Sequence, residues 1–455
     1  MNLAPAKNSI INFDVDVVES IENYRDDKNV CDLNRDIRFD SQSLETYCFA
    51  PWDPIIYDLM LVIATVEYCD HRKKRSSIYW PRNFCLKIPV HEPNRWRGPS
   101  VCNTLSDTLN FLTGDQWRFD FISRQKSFPE PRQLYLGLKP NGLCVMAYSE
   151  GLDSRSMAEI VRAENGSDTL VRVRIGDKGS DVAERNAFAA IPFKVQKPHS
   201  GESSFRSRGF KFAAISGLAA YLANISRVVV PESGQGVIAP VLIPLRAIYQ
   251  DYRNHPIFFR KMEKFLQALL GHKIEYQQPR LWFTKGETIL YALEKGAQKE
   301  ALLKTRSCWK KRQHVAFSGM RHQCGLCAAC MLRRMSLHHA NLTEASSTYS
   351  WEDLNKATFW EAAPNELKSS RLESMQRDAF AGVSHLNDFA AFAKNKGKTV
   401  TLDSHSLEIA RALDSEQKEV RQNLDGLIER HALQWDSFLS SLDKGSFIKE
   451  WARRR

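Results

Sequence analysis

The stretch "LCVMAYSEGLDSRSMAEIVRAE", residues 143–164, joins an unbroken apolar run to a segment with apolar residues three and four apart. LCVMAYS reads as a strand buried on both faces, and DSRSMAEIVRAE as the helix that follows it. Between them lies a tight connection, SEGLDS at 149–154. Backbone N–H groups at a helix start are unpaired and carry partial positive charge, so such a connection can hold phosphate. Ser149 and Ser154 add hydroxyl donors, Gly151 lets the backbone approach closely, and Asp153 can hold Mg2+ against phosphates. The same residues also suit a plain strand–turn–helix with Asp153 or Ser154 as N-cap. The local pattern leaves both readings open.

Outward from this point strand and helix keep alternating. TLVRVRIG (169–176) reads as a second strand, AERNAFAA (183–190) as a helix and IPFKVQ (191–196) as a third strand. GFKFAAISGLAAYLANI (209–225) reads as a closely packed helix, and RVVVPES (227–233) as the next strand. This alternation predicts a parallel α/β sheet covered on both sides, with ligands at the carboxyl ends of its strands. Residues 1–139 mix patterns. NFCLKIPVH, WRFDFIS and RQLYLGL alternate as strands do, while DLMLVIATVEYCDH and SVCNTLSDTLNFLTG have helical spacing. The expectation is an N-terminal α+β domain ending near the turn LKPNG (138–142). Residues 341–455 read as a C-terminal helical region, with a buried stripe through Val420, Leu424, Leu427, Ile428, His431, Trp435 and Phe438. His431 in that stripe reads as a hydrogen-bonded core histidine.

A second decisive stretch is "RHQCGLCAACMLRR", residues 321–334. With Cys308 upstream it forms C-x15-C-x2-C-x2-C, a spacing that lets Cys308, Cys324, Cys327 and Cys330 close a tetrahedral S4 shell around Zn2+. Lys310, Lys311, Arg312, Arg321 and Arg333 offset the charge of four thiolates. The reading is a structural zinc site, with His314 or His322 as a substitute ligand. An iron–sulfur cluster is the rival, but the spacing and trailing proline of its fourth cysteine are missing. Cys31, Cys48, Cys69, Cys85, Cys102 and Cys144 are scattered and read as buried thiols.

The whole chain sets the frame. Its 455 residues allow two or three domains, and 43% hydrophobic with 26% charged residues is ordinary globular composition. The net charge of +11 suits a nucleotide, an acidic partner or nucleic acid without choosing among them. No basic segment followed by an apolar run opens the chain, and no apolar run suffices to span a bilayer, so the expectation is a cytoplasmic protein without a membrane role.

The connection at 149–154 resembles the S-G-G-x-D-S loop of the PP-loop ATP pyrophosphatases through Ser149, Gly151, Asp153 and Ser154, with Leu152 at the variable position. Glu150 replaces the second residue, normally glycine, and a carboxylate there is unwelcome beside pyrophosphate unless it turns away or meets a cation. Cys324, Gly325, Cys327, Cys330 and Arg333 are similar to the C-G-x-C-x-x-C-x-x-R motif of the QueC family, and RSCW at 306–309 to the motif of its upstream cysteine. PRLWFTKGETILYAL (279–293) resembles that family's T-K-x-E-I segment, and Thr284 with Glu287 also fits a capping box. RSRGFKFAAISGLAAYLANISRVVVPESGQG (206–236) resembles the helix–strand unit beside its substrate pocket.

The resemblance implies a Rossmann-like PP-loop core over 140–340, of the adenine nucleotide alpha hydrolase kind, that uses ATP and Mg2+. It implies nucleotide binding by Ser149, Gly151, Leu152, Asp153 and Ser154, catalytic roles for Asp153 and Lys285, and substrate contacts from Arg208 and Glu232. The implied reaction is adenylation of a 7-deazaguanine carboxylate. Large regions on either side of the core look like those of QueC-like proteins in antiphage defence, QatC among them. That implies a protein partner of the QatB kind, to which the activated group is passed. Two alternatives stand beside it: a PP-loop enzyme modifying tRNA or another nucleic acid, and a non-catalytic nucleotide binder silenced by Glu150.

Overall fold

The computed structural model describes residues 11–19, 29–39, 53–76, 80–125, 142–166, 169–175, 193–196, 201–243, 249–310, 315–317, 320–367, 369–395 and 399–453. The chain forms two compact units from interleaved segments: 1–147, 168–230 and 244–277 in the first, 148–167, 231–243 and 278–455 in the second.

The first unit begins with β1 (Ile11–Val18), β2 (Val30–Asp32), β3 (Ile37–Phe39), β4 (Arg82–Val90) and β5 (Gln116–Ser123). Four of these make a sheet in the order β2-β1-β4-β5, parallel at every pair. This corrects the α+β expectation for the N-terminal region. Alternating burial, seen along β4, reveals which face is covered but says nothing of strand direction. Direction follows from the connections. The helices Pro93–Arg97 and Pro99–Thr113 between β4 and β5 provide the long crossover that parallel neighbours require. The helix Ile55–Arg72 is buried nearly all round, and its charges are paired within the unit, Asp70 with Arg82 at 2.6 Å and Glu67 with Lys211 at 2.7 Å.

The same unit holds β6 (Cys144–Ala147), β7 (Leu170–Val173), β8 (Phe193–Val195), β9 (Arg227–Val229) and β10 (Glu275–Gln277). The second sheet runs β10-β9-β6-β7, again parallel throughout, and Cys144, Val145 and Met146 of β6 are wholly buried. The doubly covered strand inferred from LCVMAYS is present. The expected third strand is placed differently: β8 pairs antiparallel with β3 and stays outside this sheet. A helix, Pro256–Leu270, and β10 take up chain that the sequence reading had left unassigned. The segments RQLYLGL and AERNAFAA, and LKPNG apart from Gly142, lie outside the described residues.

The second unit is helical. It contains Leu152–Asn165, Gly234–Leu242, Lys285–Glu294, Ala328–His339, Ser369–Ala391, Thr399–Leu413, Gln417–Ser440 and Phe447–Arg453. The C-terminal stripe is buried as its spacing predicts: Val420, Leu424, Leu427 and Ile428 join one apolar cluster, and Trp435 and Phe438 another. Among the described residues no helix is long and apolar enough to cross a membrane.

Candidate active site and metal centre

Tyr148–Gly151 leads into the helix Leu152–Asn165 with Gly151 as N-cap, and no side chain caps that helix start. Ser149 Oγ accepts the Gly151 N–H at 3.1 Å and lies 3.1 Å from Ser154 Oγ. A Cβ on Gly151 would stand 3.0 Å from Ser149 Oγ, so the turn is as tight as the sequence requires. Leu152 is buried and anchors the turn, while Ser149 is exposed. A helix start with two hydroxyls beside it is chemically suited to an anion. Glu150 offers its carbonyl to the Arg306 N–H at 2.8 Å, which fastens the loop to the segment leading to Cys308.

Asp153 faces inward from the first turn. Its Oδ2 pairs with Lys285 Nζ at 2.6 Å, and its Oδ1 accepts from Ser233 Oγ at 3.0 Å. The two residues inferred as catalytic are therefore in direct contact. Burial works against the Lys285 ammonium, but the Asp153 and Glu232 carboxylates outweigh it and hold its pKa above the ordinary lysine value. Lys285 stays a cation at neutral pH. It is suited to meet phosphate or carboxylate and unsuited to act as a base. Glu232 lies close by, its Oε1 2.1 Å from where a Cβ on Gly236 would stand, at the start of the helix Gly234–Leu242. Arg208 belongs to the first unit, where it opens the helix Arg208–Leu222, is exposed, and has its guanidinium 5.3 Å from the Phe212 ring centroid.

Three residues of this site escaped the sequence reading. Ser233 is wholly buried at the N-cap position of the helix Gly234–Leu242, and its hydroxyl, rather than capping that helix, donates to Asp153. Gln235 accepts the Lys285 N–H at 2.8 Å. Thr288 Oγ1 lies one turn beyond Lys285 and accepts from Arg280 Nε at 3.3 Å. Only the serine before Gly-Gln-Gly carried a local signal, as a helix cap. The capping box read at Thr284 and Glu287 is present, with bonds of 3.1 and 2.7 Å.

The Sγ atoms of Cys308, Cys324, Cys327 and Cys330 all lie within 4.8 Å of one another, the one such cluster among the described residues. Cys324 and Cys330 are 3.8 Å apart. A tetrahedral zinc with bonds of about 2.3 Å spaces its sulfurs about 3.8 Å apart, so the four fit that ion. Cys327 caps the helix Ala328–His339, which sets Cys330 one turn along. Gly325 turns the knuckle at φ +85°, where a Cβ would also crowd Arg334 and the Trp351 carbonyl. Gln323 Oε1 holds the remote ligand by accepting the N–H groups of Ser307 and Cys308 at 2.8 and 3.2 Å. Hydrogen bonds from Cys324, Cys327 and Cys330 pull the Cys308 thiol far down, whereas burial and the same neighbours push Cys330 far up. A divalent cation relieves that conflict by letting all four ionise. His322 stands outside the cluster with Nδ1 2.8 Å from the Ser347 carbonyl, and His314 is outside the described residues. Arg333 is wholly buried and bonds Glu344 at 2.7 Å, Thr305 at 2.7 Å and Leu303 O at 3.0 Å, so it braces the chain before Cys308.

Comparison with known proteins adds one match. Residues 246–341 match the family described as queuosine biosynthesis protein QueC. The match takes in Lys285 and the four cysteines and leaves the 149–154 loop outside. No curated protein and no solved structure gives a significant match. The matched segment is similar to that family, and it holds the four-cysteine cluster.

Proposed function

We propose that this chain is a QueC-like, ATP-dependent enzyme that adenylates a 7-deazaguanine carboxylate. One observation carries the reading: Lys285, inside the QueC-matched segment, is ion-paired at 2.6 Å to Asp153 of the loop that resembles a PP-loop. Chain order supports it. In the sequence, Ser149 and Asp153 come after β6, Glu232 and Ser233 after β9, and Lys285 after β10, and all five belong to the second unit.

The chemistry needs these groups. A carboxylate is a poor electrophile, and joining it to AMP supplies a good leaving group. The amides of residues 152–154 and the hydroxyls of Ser149 and Ser154 receive the phosphates, and the Lys285 ammonium offsets charge on the departing pyrophosphate. Asp153 holds Lys285 in place and is the residue that would hold Mg2+, which would supply further charge compensation. Glu232 accepts hydrogen bonds from the purine-like ring. Zinc at the four cysteines fixes the Arg306–Cys308 segment and through it the Glu150 carbonyl.

We further propose that the enzyme serves antiphage defence and hands the activated group to a partner protein, the flanking regions giving the docking surfaces. A nucleic-acid-thiolating role draws no support from Cys144, which is wholly buried with its thiol pushed up by burial, since sulfur carriers need a reachable thiolate. The test is to incubate the protein with ATP, Mg2+ and 7-carboxy-7-deazaguanine, with and without a partner protein of the QatB kind. Pyrophosphate release that requires the carboxylate is expected. Its absence in both arms rejects the proposal.

A further inference from the structure

The C-terminal helix Gln417–Ser440 sends two side chains to the start of the helix that carries Lys285. Gln434 Nε2 donates to Thr284 Oγ1 at 2.8 Å. His431, wholly buried, works through an intermediary: its Nδ1 is 2.8 Å from Gln235 Nε2, and Gln235 Oε1 accepts the Lys285 N–H at 2.8 Å. The far side of the imidazole, Nε2, lies 2.9 Å from the Leu386 carbonyl.

Donor and acceptor roles along this chain are forced. A carbonyl oxygen only accepts, so His431 Nε2 carries the proton. Burial pushes the ring down to about 4, so it is neutral and Nδ1 is an acceptor. Gln235 must then aim its NH2 at His431, which leaves its oxygen facing Lys285. The reverse amide orientation would set donor against donor at the Lys285 N–H. That N–H needs an acceptor, because Lys285 opens its helix and the first amides of a helix have no partner within it. The capping box does not reach it: Thr284 Oγ1 takes the Glu287 N–H, and Glu287 takes the Thr284 N–H.

We propose that Gln235 and His431 are positioning residues for Lys285, making the C-terminal helical region a working part of the site. The inference rests on the reading that Lys285 serves ATP chemistry. Two variants of the full-length protein separate its parts. His431→Asn puts an amide oxygen where Nδ1 stands and keeps the bond from Gln235, whereas His431→Gln reaches toward Leu386 and gives that bond up. Pyrophosphate release and hydrogen exchange of the peptide covering residues 283–290 are measured on both, after matching zinc content and circular dichroism. His431→Gln is expected to lose roughly tenfold or more in kcat with less change in the KM for ATP, and to exchange faster at that peptide, since small misplacements of a reacting group cost this much. His431→Asn is expected to stay near wild type in both. Equal behaviour of the two variants overturns the inference. If the wild-type protein releases no pyrophosphate, the functional reading fails, and the exchange comparison alone decides the positioning role.

Discussion

Lys285 is buried and its ammonium is paired with the half-buried Asp153, and the proposed function uses that cation to meet phosphate. Removing one member strands the other, which costs about 3–5 kcal/mol when the pair is well buried. Lys285→Met is therefore expected to lower the urea midpoint markedly and to abolish pyrophosphate release. The double variant with Asp153→Asn should recover part of the stability and none of the activity. His431 gives a pH signature. Its folded pKa, about 4, lies below the ordinary histidine value, so the unfolded chain takes up the proton first as pH falls. Its contribution is complete above pH ~6.5 and is lost toward pH ~4, at most about 3 kcal/mol at roughly 1.4 kcal/mol per unit. Urea unfolding at intervals across this range should show the slope, and His431→Asn should flatten it. The clustering of the four cysteines was legible from their spacing, and the pairing of Asp153 with Lys285 joins a residue of the 149–154 loop to one singled out through the family resemblance. His431 was legible as a buried, hydrogen-bonded histidine, but its partner Gln235 was not. Their bond joins residues 196 positions apart, and only the folded chain brings them together.

Elements show the same division. The helix start at Thr284 was readable, because a capping box is local, but the structure gives Thr284 Oγ1 a second task as acceptor for Gln434. Thr284→Ala should cost about 1–2 kcal/mol in denaturant unfolding, the upper part of the range for a lost cap, because a buried amide also loses its partner. The cysteine knuckle was readable from spacing alone. It is expected to bind one zinc per chain by elemental analysis, and Cys324→Ser should release the metal and lower the thermal midpoint. Strand direction was not readable. Alternation along β4 and β5 reports exposure, and the two-residue period is the same in parallel and antiparallel sheets. The misplacement of Phe193–Val195 has a related cause: a short apolar run names no neighbour, and pairing with Ile37–Phe39 is a long-range choice.

At the scale of the molecule, segments of the two compact units alternate along the chain, and the strands β6, β9 and β10 each end where it passes from the first to the second. The second unit then gathers Ser149, Asp153, Glu232, Ser233, Lys285 and the four cysteines from three separate stretches. The four cysteines and the C-terminal helices belong to this one compact unit, so chelation of zinc is expected to lower stability and, on the proposed function, pyrophosphate release. The most direct measurement follows ATP labelled at its γ-phosphate with the zinc-loaded protein, Mg2+ and the deazaguanine carboxylate. The label should leave as pyrophosphate, only when the carboxylate is present, and should stay in ATP with Lys285→Met. Release as inorganic phosphate, or release that ignores both the carboxylate and Lys285, would contradict the site described here.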